Sequence, residues 1–251
     1  MNPVLNIPTN ILHLEKDWAF FFGNFTDNQL HQHYAVQVSV GLNAQLRITA
    51  VDLKQYRDDI LLIQSNVEHQ LESPGNHLLL LFDPFSKLGH ALSYWSELPI
   101  AQINHPAFNA IASTALLYQV GKVSASFLTS FIIHELEQLQ CTCSYEKHLK
   151  DNRIVKALEY IQAHADRTIP LEEIAGEIHL SESRFIHLFK QETGMTYRRA
   201  QLWSRICQSI PFLRQHSITQ TAHQFGFTDS AHYTRTFKEN FGFSPKVVKL
   251  L

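Results

Sequence analysis

The sequence predicts an α+β protein of two domains. The first is an antiparallel β barrel or sandwich carrying a helical hairpin, and the second is an all-α domain built from two helix-turn-helix units. Three observations carry this. Short aliphatic and aromatic runs recur before about residue 100. The apolar period lengthens to three and four residues from Pro106 onward. A stretch after residue 165 then repeats itself. At 251 residues the chain is long enough to fill two separate cores.

The first domain is expected over residues 1–145. "WAFFFGNF", "YAVQVSV", "QLRITAV", "DILLIQS" and "HLLLLFD" read as strands set apart by polar or Gly/Pro/Asn/Asp segments, the spacing of an antiparallel sandwich or barrel. "PFSKLGHALSYW" reads as a short helix leaving the sheet. "AFNAIASTALLYQV" and "SASFLTSFIIHELEQL" predict two amphipathic helices at about 106–140, with Gly121 between them. Leu128, Phe131, Ile132, Leu136 and Leu139 line one face of the second. That stripe suits packing on the sheet and suits burial against a second subunit equally, so it is the candidate surface of a homodimer.

"CTCSYEKHLKDN" is polar and reads as a linker, and the second domain is expected over 146–251. Cys141, Cys143 and Cys207 are an odd number and make no disulfide framework, which suits a reducing cytoplasm. The Cys141/Cys143 pair has no second cysteine pair to complete a zinc site. No stretch approaches the roughly 18 continuous apolar residues of a membrane span, and no basic-then-apolar start suggests a secretory leader. Charge divides unevenly. Residues 1–149 hold 7 Lys+Arg against 13 Asp+Glu, and residues 150–251 hold 14 against 10. A basic second half points to an anionic partner there.

The repeat lies in that basic half. "PLEEIAGEIHLSESRFIHLFKQETGMT" and "ITQTAHQFGFTDSAHYTRTFKENFGFSP" align Ala175 with Ala222 and His179 with Gly226 at an offset of 47. Phe189 and Lys190 align with Phe237 and Lys238, and Gly194 with Gly242, at 48. Each copy is a helix-turn-helix, at about 168–194 and 217–242. Ala222 is small where two helices cross, and Gly226 supplies a positive φ at the turn. Ser217 with Gln220 forms a capping box, Ser181 caps the outer helix of the first copy, and Thr228 or Asp229 caps that of the second. Phe185, Leu188 and Phe189, then Tyr233, Phe237 and Phe241, form the inner stripes. Ser183, Ile186, His187 and Lys190 face outward in one copy. Ser230, Ala231, Thr234, Arg235 and Lys238 do so in the other.

"LEEIA…LSESRFIHLFKQETGMT" and, more specifically, "GFTDSAHYTRTFKENFGFSP" resemble the DNA-binding domain of the AraC/XylS family of transcription regulators, over about the last hundred residues. The resemblance implies two helix-turn-helix units joined by a long helix. Each places a recognition helix in adjacent major-groove segments about 34 Å apart. It implies base-edge contacts from Ser183, Ile186 and His187, and from Ser230, Ala231, Thr234 and Arg235. Arg235 is the residue most able to read guanine, although an arginine here also suits a phosphate or a surface ion pair. Ile186 suits a thymine methyl or the core. Ser181, Lys190, Thr228 and Lys238 would hold phosphates. The chain departs from the family at three places. His179 stands at the first turn in place of glycine, Tyr197 in place of proline, and Pro211 falls within "YRRAQLWSRICQSIPFLRQ", the joining helix, where it predicts a kink or break.

In the first domain, "HQHYAVQ" puts His31 and His33 two apart, on one face of a strand. With His69 they resemble the metal-binding pattern of the cupin barrel. Gln37, however, stands where that pattern has a glutamate, and a neutral amide is a poor substitute. The expectation is no bound metal and no cofactor. The stretch also resembles the cupin-like sensor half of AraC-type regulators, so His31, His33, Gln37 and His69 are candidate effector-binding residues. The leading function is a cytoplasmic, sequence-specific DNA-binding regulator responding to a small molecule, homodimeric, with double-stranded DNA as partner and RNA polymerase as a further one. It is not an enzyme and has no membrane partner. The alternatives are a cupin-type metal enzyme with a helical appendage, and a degenerate regulator acting through a protein partner.

Overall fold

The computed structural model describes residues 10–24, 29–50, 52, 54–139 and 151–248. Residues 141–150 of the expected linker, with Cys141 and Cys143, lie outside them. The chain falls into two compact units, one holding the sheets and the first three helices, the other the helices that follow.

In the N-terminal unit the strands are β1 (Ile11–Leu14), β2 (Trp18–Gly23), β3 (Val36–Gly41), β4 (Leu46–Ala50), β5 (Gln55–Asp58), β6 (Ile60–Ile63), β7 (His69–Glu72), β8 (His77–Phe82) and β9 (Ile100–Gln102). The larger sheet runs β1-β2-β8-β3-β6-β9 and the smaller β5-β4-β7. Every named pairing is antiparallel. The five quoted apolar runs contain β2, β4, β6 and β8, and all of β3 but its last residue. The short or polar strands β1, β5, β7 and β9 were not foreseen, and β5 (QYRD) is an edge strand with alternate residues exposed.

Both faces of the larger sheet are covered, which explains why its strands are apolar throughout. Successive side chains alternate between faces. Phe20, Phe22, Val36, Val38, Val40, Leu78 and Leu80 join a core with helices α1 (Lys87–Ser93), α2 (Pro106–Gln119) and α3 (Ala125–Glu137). Phe21, Leu61, Ile63 and Leu79 pack instead on Leu46, Ile48 and Leu71 of the smaller sheet. Gly121, at φ 72°, turns the chain between α2 and α3.

The stripe on α3 is core. Leu128, Ile132, Leu136 and Leu139 are buried against α2 and the sheet, and Phe131 packs beside them half-buried. Leu128, Ile132, Leu136 and Leu139 are therefore committed to the core, while Phe131 keeps an exposed edge stacked on Phe127. The large apolar side chains that the hairpin does expose are Leu117, Val120 and Phe127.

His77 opens β8 fully buried, its Nδ1 3.3 Å from the Gly75 carbonyl, and burial lowers its pKa to about 4. The unfolded chain protonates this ring near 6.5, and the folded chain resists until about 4. Stability is therefore complete above 6.5 and is lost as pH falls through that window, by about 3 kcal/mol in all. Acid unfolding of the N-terminal unit is expected to start between pH 6 and 4, and His77→Gln should flatten that slope in chemical-denaturation curves taken against pH.

The C-terminal unit is helical: α4 (Asn152–Ala163), α5 (Leu171–Glu177), α6 (Glu182–Thr193), α7 (Tyr197–Leu213), α8 (Ile218–Gln224), α9 (Ser230–Phe241) and α10 (Pro245–Val248). The repeat is legible in these bounds, since α8 follows α5 by 47 residues and α9 follows α6 by 48. No described helix is long and apolar enough to cross a membrane.

Candidate functional site

Each repeat copy sets its outer helix by local chemistry. The first turn is closed by His179 at φ 57° and the second by Gly226 at φ 65°, while Gly194 and Gly242 end the outer helices at 72° and 74°. The Ser181 hydroxyl accepts from the Arg184 amide at 3.4 Å and caps α6. Ser217 and Gln220 form the full capping box at α8. At α9 the cap is Asp229, whose carboxylate accepts from the His232 amide at 2.7 Å. That bond holds its pKa below the ordinary carboxylate value. The start of α9 is thus filled by a negative charge, and the phosphate role expected of Thr228 beside it is disfavoured.

The inner stripes are buried as predicted: Phe185, Leu188 and Phe189 in α6, and Tyr233, Phe237 and Phe241 in α9. Outward on α6 lie Ser183, Ile186, His187 and Lys190, all exposed. Ile186 is 44% exposed and is not core. On α9, Ala231 and Arg235 are exposed, and Ser230, Thr234 and Lys238 are half-buried at the margins of the same face.

Helix α7 holds both copies. Tyr197 at its start donates its hydroxyl to the Ile169 carbonyl at 2.9 Å and stacks edge-on to Phe185. Gln201 exchanges two bonds with the Ile169 backbone, at 2.8 and 3.2 Å. Further along, Ser209 bonds the Tyr233 hydroxyl at 2.8 Å. Between these, Arg205 Nη1 donates to the Gly226 carbonyl at 2.8 Å and to Thr168 Oγ1 at 3.2 Å, with its guanidinium over the Phe227 ring. One buried side chain therefore ties the turn of the second copy to the entry of the first. Nothing in the sequence singled Arg205 out.

In the N-terminal unit His31, His33 and His69 do converge, although for a different reason from the one expected. β3 starts only at Val36, so His31 and His33 precede it. His31 pairs with His69 in an isolated antiparallel bridge, their backbones exchanging bonds of 3.0 and 2.9 Å. The Asn66 amide donates to the His33 carbonyl at 2.8 Å. The ring centroids lie 4.4–5.4 Å apart, and all three side chains are buried. Burial keeps the imidazoles neutral: that of His31 is lowered to about 3, and those of His33 and His69 also fall, with the neighbouring histidines adding to the effect at His31 and His69. Gln37, on the inner face of β3, meets His33 Nε2 at 2.9 Å and Ser39 Oγ at 2.8 Å. The four candidate effector residues thus form one buried polar island.

A family profile described as a helix-turn-helix domain matches residues 174–249. The chain is 24% identical over 238 residues to the probable transcriptional regulator LumQ of Photobacterium leiognathi, covering 86% of this chain and 89% of that one. It is 34% identical over 98 residues to the arabinose operon regulatory protein of Escherichia coli, a match spanning 38% of this chain and about a third (34%) of that relative's length. Among solved structures, ToxT from Vibrio cholerae superposes over 94% of this chain and 99% of its own, with a TM-score of 0.60 at 14% identity, so the two-part fold is shared. Over its C-terminal unit the chain is similar to transcription regulators of the AraC type.

The three departures from the AraC pattern have physical accounts. His179 is exposed, so its side chain meets solvent and only the left-handed backbone is costly. His179→Gly is expected to raise the stability of this unit by about 0.5–1 kcal/mol, read from denaturant midpoints. Tyr197, where the family has proline, spends its hydroxyl on Ile169. Pro211 does not break the joining helix, because α7 runs through it to Leu213. It sits in the last turn, exposed, where the missing N–H removes a single bond.

Proposed function

We propose that this AraC-type chain is a sequence-specific transcription regulator whose outer helices α6 and α9 read successive major-groove segments. The observation that supports the reading is the pair of matching outward faces. Ser183, Ile186 and His187 on one helix, and Ser230, Ala231, Thr234 and Arg235 on the other, are carried by copies that α7 holds in one packed unit. Arg235 would take a guanine edge bidentately, and Ile186 and Ala231 would meet thymine methyls. Lys190, Lys238 and the Ser181 cap would sit on phosphates. Thr228 is the weakest member of that set, because Asp229 repels an anion beside it.

The N-terminal unit would receive the effector, at the island of His31, His33, Gln37 and His69. Structures of ToxT are described with an unsaturated fatty acid and with a naphthalenyl-butenoic acid bound, which supports a small ligand for this chain as well. Such a ligand acts by binding one arrangement of the protein better than another. A homodimer would use the exposed side of the α2–α3 hairpin, since the α3 stripe is already committed to the core. A DNA partner places the work in the cytoplasm, with RNA polymerase as a further contact, and no reaction is assigned.

The test is binding to the DNA upstream of the chain's own gene, at several salt concentrations, for wild type and Arg235→Ala. Selective binding with a steep salt slope is expected. The variant should lose about 1–3 kcal/mol, a factor of about 5–150, and should discriminate less at one base pair. Equal affinity of both proteins for operator and for random DNA would overturn the reading.

A further inference from the structure

The buried island has a chemistry that hydrogen bonding within the protein leaves unfinished. His31 Nδ1 lies 2.9 Å from the Gln29 carbonyl, His33 Nδ1 3.0 Å from that of Ala35, and His69 Nδ1 2.8 Å from that of Val67. A carbonyl oxygen only accepts, so each Nδ1 must carry the proton. Each neutral ring then keeps its lone pair on Nε2. His69 Nε2 is wholly buried and has no hydrogen-bond partner. His33 Nε2 lies 2.9 Å from Gln37 Oε1, while the Gln37 amide nitrogen donates to Ser39 Oγ at 2.8 Å. With Nδ1 protonated, the first contact is a hydrogen bond once the amide is turned over, so that its NH2 donates to His33 and its oxygen accepts from Ser39.

One ligand nitrogen from each ring lies within 4.8 Å of the others. Three lone pairs facing one another repel. With a cation among them the same arrangement becomes attractive. The backbone bonds at Nδ1 are what fixes tautomer and ring direction in a metal-ligating histidine. A tetrahedral zinc with bonds of about 2.0–2.1 Å holds its donors about 3.4 Å apart, so the rings need close by only about an ångström.

We propose that His31, His33 and His69 form a binding site for a divalent transition cation of the zinc class in the interior of the N-terminal unit. Imidazole nitrogens select this class over calcium or magnesium, which take oxygen. The neutral Gln37 supplies no fourth ligand and would yield its place at His33 Nε2 to the cation, so one coordination position stays open. The bridge between His31 and His69 and the Asn66–His33 bond make the site largely preformed. The cation would therefore pin the segment before β3 to β7. This goes beyond the reading of the chain as a regulator and does not depend on DNA.

The test uses the full chain, stripped with a chelator and dialysed against Zn2+ or Co2+ without DNA. The expected result is one equivalent of zinc retained through gel filtration, a raised thermal midpoint, and visible ligand-field bands with cobalt. In long-range 1H–15N spectra, the Nε2 resonances of three imidazoles should shift together on adding zinc. His69→Gln should weaken binding by more than about tenfold, the scale of even an outer-shell loss. His77→Gln, at a buried ring outside the cluster, should leave it unchanged. No retained metal in the wild type, shifts at other histidines, or unaltered binding by His69→Gln would each overturn the proposal. The wild-type spectra decide the matter even where a variant fails to fold.

Discussion

Gly226→Val is expected to cost the C-terminal unit about 3–5 kcal/mol, enough to leave much of it unfolded at 37 °C. Two penalties combine. The backbone at φ 65° is left-handed, which costs an L residue about 1–2 kcal/mol and a β-branched one more. A Cβ at this position would also lie 3.0 Å from the Arg167 Cα and 3.0 Å from the Asp166 carbonyl oxygen. Both are backbone atoms and cannot swing aside, so the turn must move off the loop between α4 and α5. His179, at the matching turn of the first copy, shows which penalty is the heavier. It tolerates the same φ with a full side chain because that side chain is exposed. The valine variant at 179 is therefore expected to cost less than half as much. Hydrogen exchange read separately on α5 and α8 peptides would check this, since denaturation of the two-unit chain gives no single free energy. Equal effects at the two turns would show that contact with Asp166 and Arg167 is not what fixes glycine at 226.

How much of this was legible in the sequence follows from how local each cause is. The caps at Ser181 and Ser217, the stripes at Phe185 and Tyr233, and the offset between the copies are written within one or two helical turns, and the helices form where those signals place them. Pro211 misled because its local meaning depends on how far the helix continues. Two residues from the end of α7 it removes little. The stripe Leu128–Leu139 was ambiguous for a related reason, since an apolar face reads alike whether a sheet or a second chain covers it. In the N-terminal unit the doubly covered sheet erased the alternation that would assign faces, and edge strand β5 is too polar to be seen. The histidines were grouped correctly from a wrong premise. They converge by pairing of His31 with His69 across 38 positions of sequence, a contact that no spacing rule contains. The orphaned Nε2 of His69 became visible only once every Nδ1 had a partner.

Arg205 is the extreme case of that non-local kind, and its replacement separates packing from positioning. The side chain is buried, and burial lowers its pKa with no carboxylate to offset it. Keeping a cation there is costly, and its return is the pair of bonds to Gly226 and Thr168 and the Phe227 face. Arg205→Ala discards those contacts and opens a cavity, and a loss of about 3–4 kcal/mol is expected. Arg205→Met refills most of the volume and removes the buried charge, so it should cost under about half of that, as such swaps often do. The methionine chain keeps both helix-turn-helix units folded without the bonds that fix one against the other. Its affinity for an operator spanning two groove segments should then fall about tenfold, or 1.4 kcal/mol, while affinity for a DNA carrying only one segment stays level. Binding isotherms on the two DNAs make the comparison. Parallel losses on both would mean that Arg205 supports the stability of a unit. A loss confined to the longer site would mean that it sets the distance and angle between α6 and α9, and so the spacing this chain can read.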